Sequence, residues 1–479
     1  MVKKLTDEKR KNRVVLFGAG PFLDYYLEQA FSLPYTDIVG ISDNNTTLFG
    51  RVINSLPIRS IDSFDNSDYD YVVITSTYAC EISRGLIRKG VSPNKIKRYT
   101  EYSALLREKD ICFYGKNIEA EENNNKKILI ITPEIGFSNG ATMAAFFVLL
   151  ALKQRGFYTA MAASTGDREC IDYFVNNGIY ICVYPMIEFH SYDEMSWMHQ
   201  YDELIINTYT LSNCIRNLNY PKKAIWWIHE TDYYYENEIR LWGKLSANEL
   251  ERFNIICVSN IALKYFKKYY PQNCSSVMEY GIPDDYNEMN CNKHKGFQKH
   301  KKTIFALVGD IYELKGQDIF LQAIGNLKCN LDECEFWVIG RDKKTAFCQR
   351  VMEKISLMNN VHYLGTKNRT EIRELYRNID VVVSASRRDM LPIVVTEAMM
   401  YGKLIIIPDS IGTADFVTNN KDALIYQTGD VIGLKKAIED AIQRPDMIDR
   451  LGKNARKVYL KHFSLETLGD RIEKVLNGR

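Results

Sequence analysis

Residues 384–407 read SASRRDMLPIVVTEAMMYGKLIII. The run predicts a buried strand ending at Ser386, a loop holding Asp389, a short helix, and a second buried strand from Lys403. Pro392 fits the first helical turn, where its missing N–H costs nothing. Glu397 follows Asp389 by eight residues and falls inside the helix. The N–H groups around Met390, Leu391 and the residues after Pro392 have no partner within such a helix, so they suit a diphosphate. A carboxylate one or two turns in, Glu397, can accept both hydroxyls of a ribose. One in the preceding loop, Asp389, can hold sugar hydroxyls. Alone, Glu397 fits an exposed helix face equally well. Strand, helix and strand in succession predict an α/β fold with a parallel sheet.

The same alternation extends in both directions. TIFALVGD, EFWVIGRD, NVHYLG, IDVVVSAS, KLIIIPD and ALIYQT are strand-like runs with amphipathic stretches between them. They define a module over 303–479, whose last helix, SLETLGDRIEKVLN, is long enough to pack back on the module before it. An earlier set defines a second module over 126–290: KILIITPE, YTAMAAST, GIYICVYP, DELIINTY, KAIWWIHE and NIICVSN. A third, smaller set over 10–115 opens with RVVLFGAG. The polar stretch 117–127 reads as a linker. The run 292–302, NKHKGFQKHKK, with five lysines and no acid, reads as a solvated connector. A weak attraction to anionic lipid is the most such a run supports. Tandem doubly wound modules leave a cleft at the carboxyl ends of their strands, where ligands bind open parallel sheets.

Composition narrows the function. With 62 basic and 60 acidic residues in 479, the formal net charge is +2, which argues against nucleic-acid binding driven by bulk charge. The 11 cysteines are scattered without a CxxC pair, which predicts reduced thiols and no zinc site. A charged N-terminus runs straight into a strand, and the apolar stretch from Met143 to Leu152 is too short to span a bilayer. A soluble cytoplasmic protein is expected, with contact at the inner face of the membrane the furthest extension. A homo-oligomer is left open.

The stretch 384–407 resembles the E-x7-E region of the family-4 retaining glycosyltransferases, with Asp389 as the first acid and Glu397 as the second. The resemblance implies the GT-B fold: two doubly wound Rossmann-like domains facing a cleft, here preceded by the third small Rossmann-like domain. LVGDIYELKGQDIFLQAI (307–324) is similar to the family's glycine-then-KG motif, which implies Gly309 at the donor and Lys315 on the diphosphate. The family's usual arginine is replaced by Asp310, and Arg387 or Arg388 is the expected substitute, since guanidinium suits a diphosphate. EIGFSNGATMAAF resembles the family's SGA loop, placing Asn139 on the acceptor side and Gly140 and Ala141 at the donor. WWIHE resembles its aromatic strand, implying catalytic His229 and acceptor-side Glu230. CVSNIALKYF resembles its V-S-x junction, which brings in Ser259. Gly365 and Thr366 are expected to border the base. The resemblance covers about residues 126–479.

The first module carries GAGPFL after its strand and Asp43 further on, a partial dinucleotide fingerprint with Leu23 in place of the third glycine. It resembles the small Rossmann-like domains joined to sugar-modifying enzymes. Gly18, Gly20 and Asp43 are its expected ligand residues. The whole reads as a retaining glycosyltransferase that uses a nucleotide-diphosphate sugar, UDP-linked first and GDP-linked second. The acceptor is a glycan, a lipid-linked saccharide or a protein in cell-surface glycan biosynthesis. The family resemblance implies no obligatory metal, and no D-x-D motif stands where a bridging metal would. Two other readings stand beside it. One is a catalytically weak nucleotide-sugar-binding partner subunit, motivated by Asp310. The other is an NAD-dependent sugar-modifying oxidoreductase using Tyr78, Cys80 and Asp43.

Overall fold

The computed structural model describes residues 11–76, 79–107, 111–116, 126–137, 139–185, 187–273, 275–287, 302–329 and 331–478. Tyr78, most of the linker and nearly all of the basic run lie outside them. Two compact units emerge. One comprises Met1–Gly136, Ala160–Ala224 and Tyr233–Phe253; the other comprises Phe137–Thr159, Ile225–Asp232 and Asn254–Arg479.

The first unit contains a six-stranded sheet in the order Val52–Ile53, Leu56–Arg59, Thr36–Ser42, Asn12–Phe17, Tyr71–Ile74, Ile96–Arg98. Pairing is parallel except for the first two strands. Asn12–Phe17 is central, and its side chains alternate between two cores. Val14 and Leu16 join Leu23, Ile41 and Val73 on one face. Val15 and Phe17 join Val72, Ile74 and Leu86 on the other. A strand covered on both faces must be apolar throughout, which explains the run VVLF. In the same unit Lys127–Ile135 pairs in parallel with Glu203–Asn207. Tyr180–Val183 pairs in parallel with Tyr158–Gly166 and antiparallel with Cys112–Tyr114. The chain leaving the first module therefore adds an edge strand to the next sheet.

The second unit contains an all-parallel sheet in the order Val361–Tyr363, Cys334–Ile339, Thr303–Val308, Val381–Val383, Leu404–Pro408, Leu424–Tyr426. Numbered along the chain this is 3-2-1-4-5-6, the doubly wound order. Phe305, Leu307, Phe336, Val338, Val381 and Val383 build the core beneath its helices. The order reverses between Thr303–Val308 and Val381–Val383, so the loops after these two strands diverge and leave a ligand crevice. The C-terminal helix Leu465–Asn477 packs on the helix Gly140–Gln154. Arg155 donates to the Glu466 carbonyl at 2.8 Å and to Asp470 Oδ1 at 2.9 Å. Among the described residues no helix is long and apolar enough to cross a membrane.

Candidate active site

Lys315 and Asp389 come from the two loops that diverge at the switch point, and they meet. Lys315 Nζ donates to Asp389 Oδ2 at 2.6 Å. The glycine after the lysine makes this approach available. Gly316 has φ +67°, and a Cβ there would lie 1.9 Å from the Ala385 carbonyl oxygen. Arg387 N bonds the Leu314 carbonyl at 2.8 Å, fastening the same two loops together. The strand ends at Val383 rather than at Ser386, although Ser384 N still donates to the Ile406 carbonyl at 2.9 Å. Burial works against the Lys315 charge, but Asp389, Tyr312 and Asp310 outweigh it and hold the ammonium above the usual lysine pKa.

The helix predicted after this loop spans Ile393–Met400. Pro392 is its N-cap, with φ −72° and ψ 122°, and not part of its first turn as expected. The extended ψ follows because the helix proper starts with Ile393. Met390, Leu391 and Pro392 are buried; Val395 N and Thr396 N donate to the Pro392 carbonyl at 3.2 and 3.3 Å, so the N–H groups of Ile393 and Val394 are the ones without a partner within the helix. Glu397 is half-buried one turn in, its Oε2 3.4 Å from the Tyr376 hydroxyl. Tyr376 also donates to the Val394 carbonyl at 3.0 Å, so this tyrosine fixes both the helix and its carboxylate.

A second group of expected residues converges on this region. Asn139 caps the helix Gly140–Gln154, its Oδ1 accepting from Ala141 N and Thr142 N. A Cβ on Gly140 would meet Ile393 Cδ1 at 3.8 Å, so the two helix starts adjoin. His229 and Glu230 follow the strand Ala224–Ile228, and Glu230 Oε2 accepts from the His229 N–H at 2.8 Å. Burial lowers the His229 pKa from its ordinary value to about 3, so its ring is neutral at physiological pH. The buried His229 Nε2 makes no hydrogen bond. Three residues beyond His229, Asp232 receives a 2.5 Å hydrogen bond from Arg388, next to Asp389. Ser259 caps the helix Asn260–Tyr269 through its hydroxyl, which accepts from Ala262 N at 3.2 Å. Gly365 has φ +74°, and its carbonyl accepts from Gly340 N at 3.0 Å; Thr366 beside it is exposed.

Both arginines expected near the diphosphate hold carboxylates. Arg387 makes a two-point contact with Asp318, at 3.0 and 2.7 Å, and donates to the Glu313 carbonyl. Arg388 is engaged with Asp232. Each guanidinium has a carboxylate partner that no short-range pattern announced. Asp310 is also paired, with Arg341 at 2.8 Å and Lys343 at 3.4 Å. Sequence reasoning missed Tyr280 as well. It is fully buried, donates to the Leu391 carbonyl at 3.2 Å, and lies 3.0 Å from Thr396 Oγ1.

In the first module, Gly18 N donates to the Ser42 carbonyl at 2.8 Å, and the carboxylate of Asp43 is engaged. Asp43 Oδ2 accepts from Ala19 N at 2.7 Å and Oδ1 from Asn45 N at 2.7 Å. A Cβ on Gly20 would meet open space. The helix that follows, Pro21–Tyr25, is only five residues long. Asp43 therefore braces the glycine turn. Among the described residues no cluster of His, Cys, Asp and Glu has the makings of a metal site.

Residues 290–458 match the family described as glycosyl transferases group 1, and residues 10–97 match the family described as C2185-like, N-terminal. The chain is 28% identical over 170 residues to N,N'-diacetylbacillosaminyl-diphospho-undecaprenol alpha-1,3-N-acetylgalactosaminyltransferase of Campylobacter jejuni. That match covers 35% of this chain and 43% of the relative. It is 21% identical over 171 residues to alpha-D-kanosaminyltransferase of Streptomyces kanamyceticus, covering 36% of this chain and 44% of the relative. The chain thus spans less than half the length of these curated relatives. Among solved structures, HepE of Anabaena in complex with UDP-glucose superposes with a TM-score of 0.61 at 16% identity, over 74% of this chain and all of HepE. WaaG, a glycosyltransferase involved in lipopolysaccharide biosynthesis, superposes with a TM-score of 0.55 at 14% identity, over 74% of this chain and all of WaaG. At such identities the superpositions speak to fold, and the fold is GT-B.

Proposed function

We propose, for a GT-B chain whose residues 290–458 match the glycosyl transferases group 1 family, that it is a retaining glycosyltransferase. It takes a sugar from a nucleotide-diphosphate donor, UDP-linked before GDP-linked, and passes it to a glycan, lipid-linked or protein acceptor. The Lys315–Asp389 contact at the switch point carries this reading. A lysine held charged, beside the first turn of the helix Ile393–Met400, forms a field suited to two phosphates and to the negative charge that grows on them as the glycosidic bond breaks.

The remaining residues take roles from their surroundings. Asp389 orients Lys315 and accepts from donor-sugar hydroxyls. Glu397, steadied by Tyr376, accepts from the ribose hydroxyls. His229, neutral and with Nε2 unbonded, offers a hydrogen bond to the transferred sugar and no charge. Gly140 and Ala141 present backbone N–H groups at the start of their helix. Asn139, Glu230 and Ser259 face the acceptor in this reading, and Gly365 and Thr366 face the base. No step calls for a divalent ion, because a lysine and a helix start supply positive potential where a metal would.

Assay of donor hydrolysis and transfer with a panel of UDP- and GDP-sugars tests the reading. Turnover with at least one donor, lost in Lys315→Ala, is expected. Tight nucleotide-sugar binding with no turnover under any acceptor condition would replace it with a binding subunit, the reading that the carboxylate at Asp310 favours.

A further inference from the structure

The loop after Thr303–Val308 carries Asp310 and Lys315, and the loop after the neighbouring strand Cys334–Ile339 carries Arg341 and Lys343. Their backbones touch. Gly340 has φ +153°, and a Cβ there would stand 2.0 Å from the Gly309 carbonyl oxygen. From this contact two cations turn onto one carboxylate oxygen: Arg341 Nη2 lies 2.8 Å and Lys343 Nζ 3.4 Å from Asp310 Oδ2. Lys343 Nζ also lies 4.5 Å from the centre of the Tyr312 ring. Asp310 is held from behind, its carbonyl accepting from Gln317 Nε2 at 2.9 Å. The Lys315 stem runs along Gly309, its Cδ 3.6 Å from where a Cβ would be. Lys315, Arg341 and Lys343 thus engage Asp389 and Asp310 close to the switch point, while Asp342, in the loop of Arg341 and Lys343, pairs with Lys344 at 2.8 Å.

An ion pair between half-exposed groups adds little to stability, so fold stability does not account for the cluster. A fixed guanidinium is a good partner for a diphosphate, and fixing it beforehand lowers the entropy lost on binding. We propose that Arg341 and Lys343 are donor-diphosphate ligands, and that Asp310 is a positioning residue that aims them at the crevice. The proposal rests on the nucleotide-diphosphate-donor reading above and names further residues for that site.

The test is calorimetry on the full chain with UDP and UMP, and with GDP and GMP, beside donor-hydrolysis kinetics. Arg341→Gln and Lys343→Gln should each weaken diphosphate binding about tenfold, the loss of one hydrogen bond to a charged group, and weaken monophosphate binding less. Asp310→Asn decides the role of the carboxylate. If Asp310 only repels phosphate, removing its charge tightens UDP binding. If it aims the two cations, binding weakens, KM for donor rises more than kcat falls, and Asp310→Glu restores both. Unchanged diphosphate affinity in Arg341→Gln and Lys343→Gln, or tighter binding in Asp310→Asn, overturns the proposal even when wild-type turnover is intact. Absence of nucleotide binding and turnover in the wild type would instead remove the donor reading beneath it.

Discussion

The Tyr280 hydroxyl donates to the Leu391 carbonyl at 3.2 Å, joining residues 111 positions apart. Tyr280 opens the segment leading away from the strand Ser275–Val277, and each part of that segment is fastened to the sheet domain that follows. Arg456 grips Asp284 at 3.1 and 2.7 Å, Arg373 pairs with Asp285, and Tyr459 donates to the Ile282 carbonyl at 2.9 Å. The loop that presents Asp389 therefore depends on a tyrosine buried behind it. Tyr280→Phe should leave the Leu391 carbonyl short of a donor, at a cost of about 1–3 kcal/mol. A lower urea midpoint together with a raised donor KM is expected. A stability loss with unaltered donor kinetics would confine Tyr280 to folding.

Lys315→Ala and Glu397→Ala separate two roles. Loss of the lysine removes charge from the departing diphosphate and should lower kcat by the ~2.7–4 kcal/mol typical of one transition-state donor. Loss of Glu397 should chiefly raise the donor KM. Near-wild-type kinetics in both would withdraw the site assignment.

Histidine titration supplies a stability test. The His229 pKa falls to about 3 in the folded chain through burial, against an ordinary 6.5 when unfolded. Between those values the unfolded chain binds the extra proton, so stability from this group is present above pH 6.5 and drains as pH falls towards 3. The slope from one such group is at most about 1.4 kcal/mol per pH unit. His229→Gln should flatten the acid limb of the unfolding curve by up to one proton. An unchanged proton count would mean that the ring is solvated and charged below its ordinary pKa.

Metal dependence follows from the same electrostatics. With Lys315 and a helix start at the phosphates, transfer should persist in excess chelator. Abolition by chelator, reversed only by a divalent cation, would contradict that account.

The doubly wound sheet was legible because strands buried on both faces must be continuous apolar runs, as at TIFALV and VVV. Asp389 and Glu397 stood out as a loop carboxylate and a helix carboxylate after a buried strand, whereas Lys315 entered through the family resemblance of the stretch 307–324. Arg341 with Asp310, Arg388 with Asp232 and Tyr280 with Leu391 were not. Pairs set by tertiary packing over long separations leave no period in a single sequence. The Asp318 partner of Arg387 was hidden in the same way. The three-residue strand Cys112–Tyr114 escaped notice because it is too short for alternation to register.

That strand shapes the last prediction, which concerns the first module. Cutting before residue 120 removes Cys112–Tyr114 and bares the edge of Tyr180–Val183, a template for pairing between chains. Cutting before residue 111 keeps the strand but strips another contact. Phe22 meets Trp242 edge-on with ring centres 5.1 Å apart, and Tyr26 lies 6.4 Å from the same indole. Exposing that face should cost about 2 kcal/mol, the scale of one large apolar side chain. A chain starting at 111 should therefore be less stable yet retain donor hydrolysis, since Lys315, Asp389, Glu397 and His229 all lie after the cut. One starting at 120 should in addition self-associate, visible by light scattering. Folded 111–479 without donor turnover would mean that the first module completes the active site. Equal solubility of the two truncated chains would mean that the edge strand protects nothing.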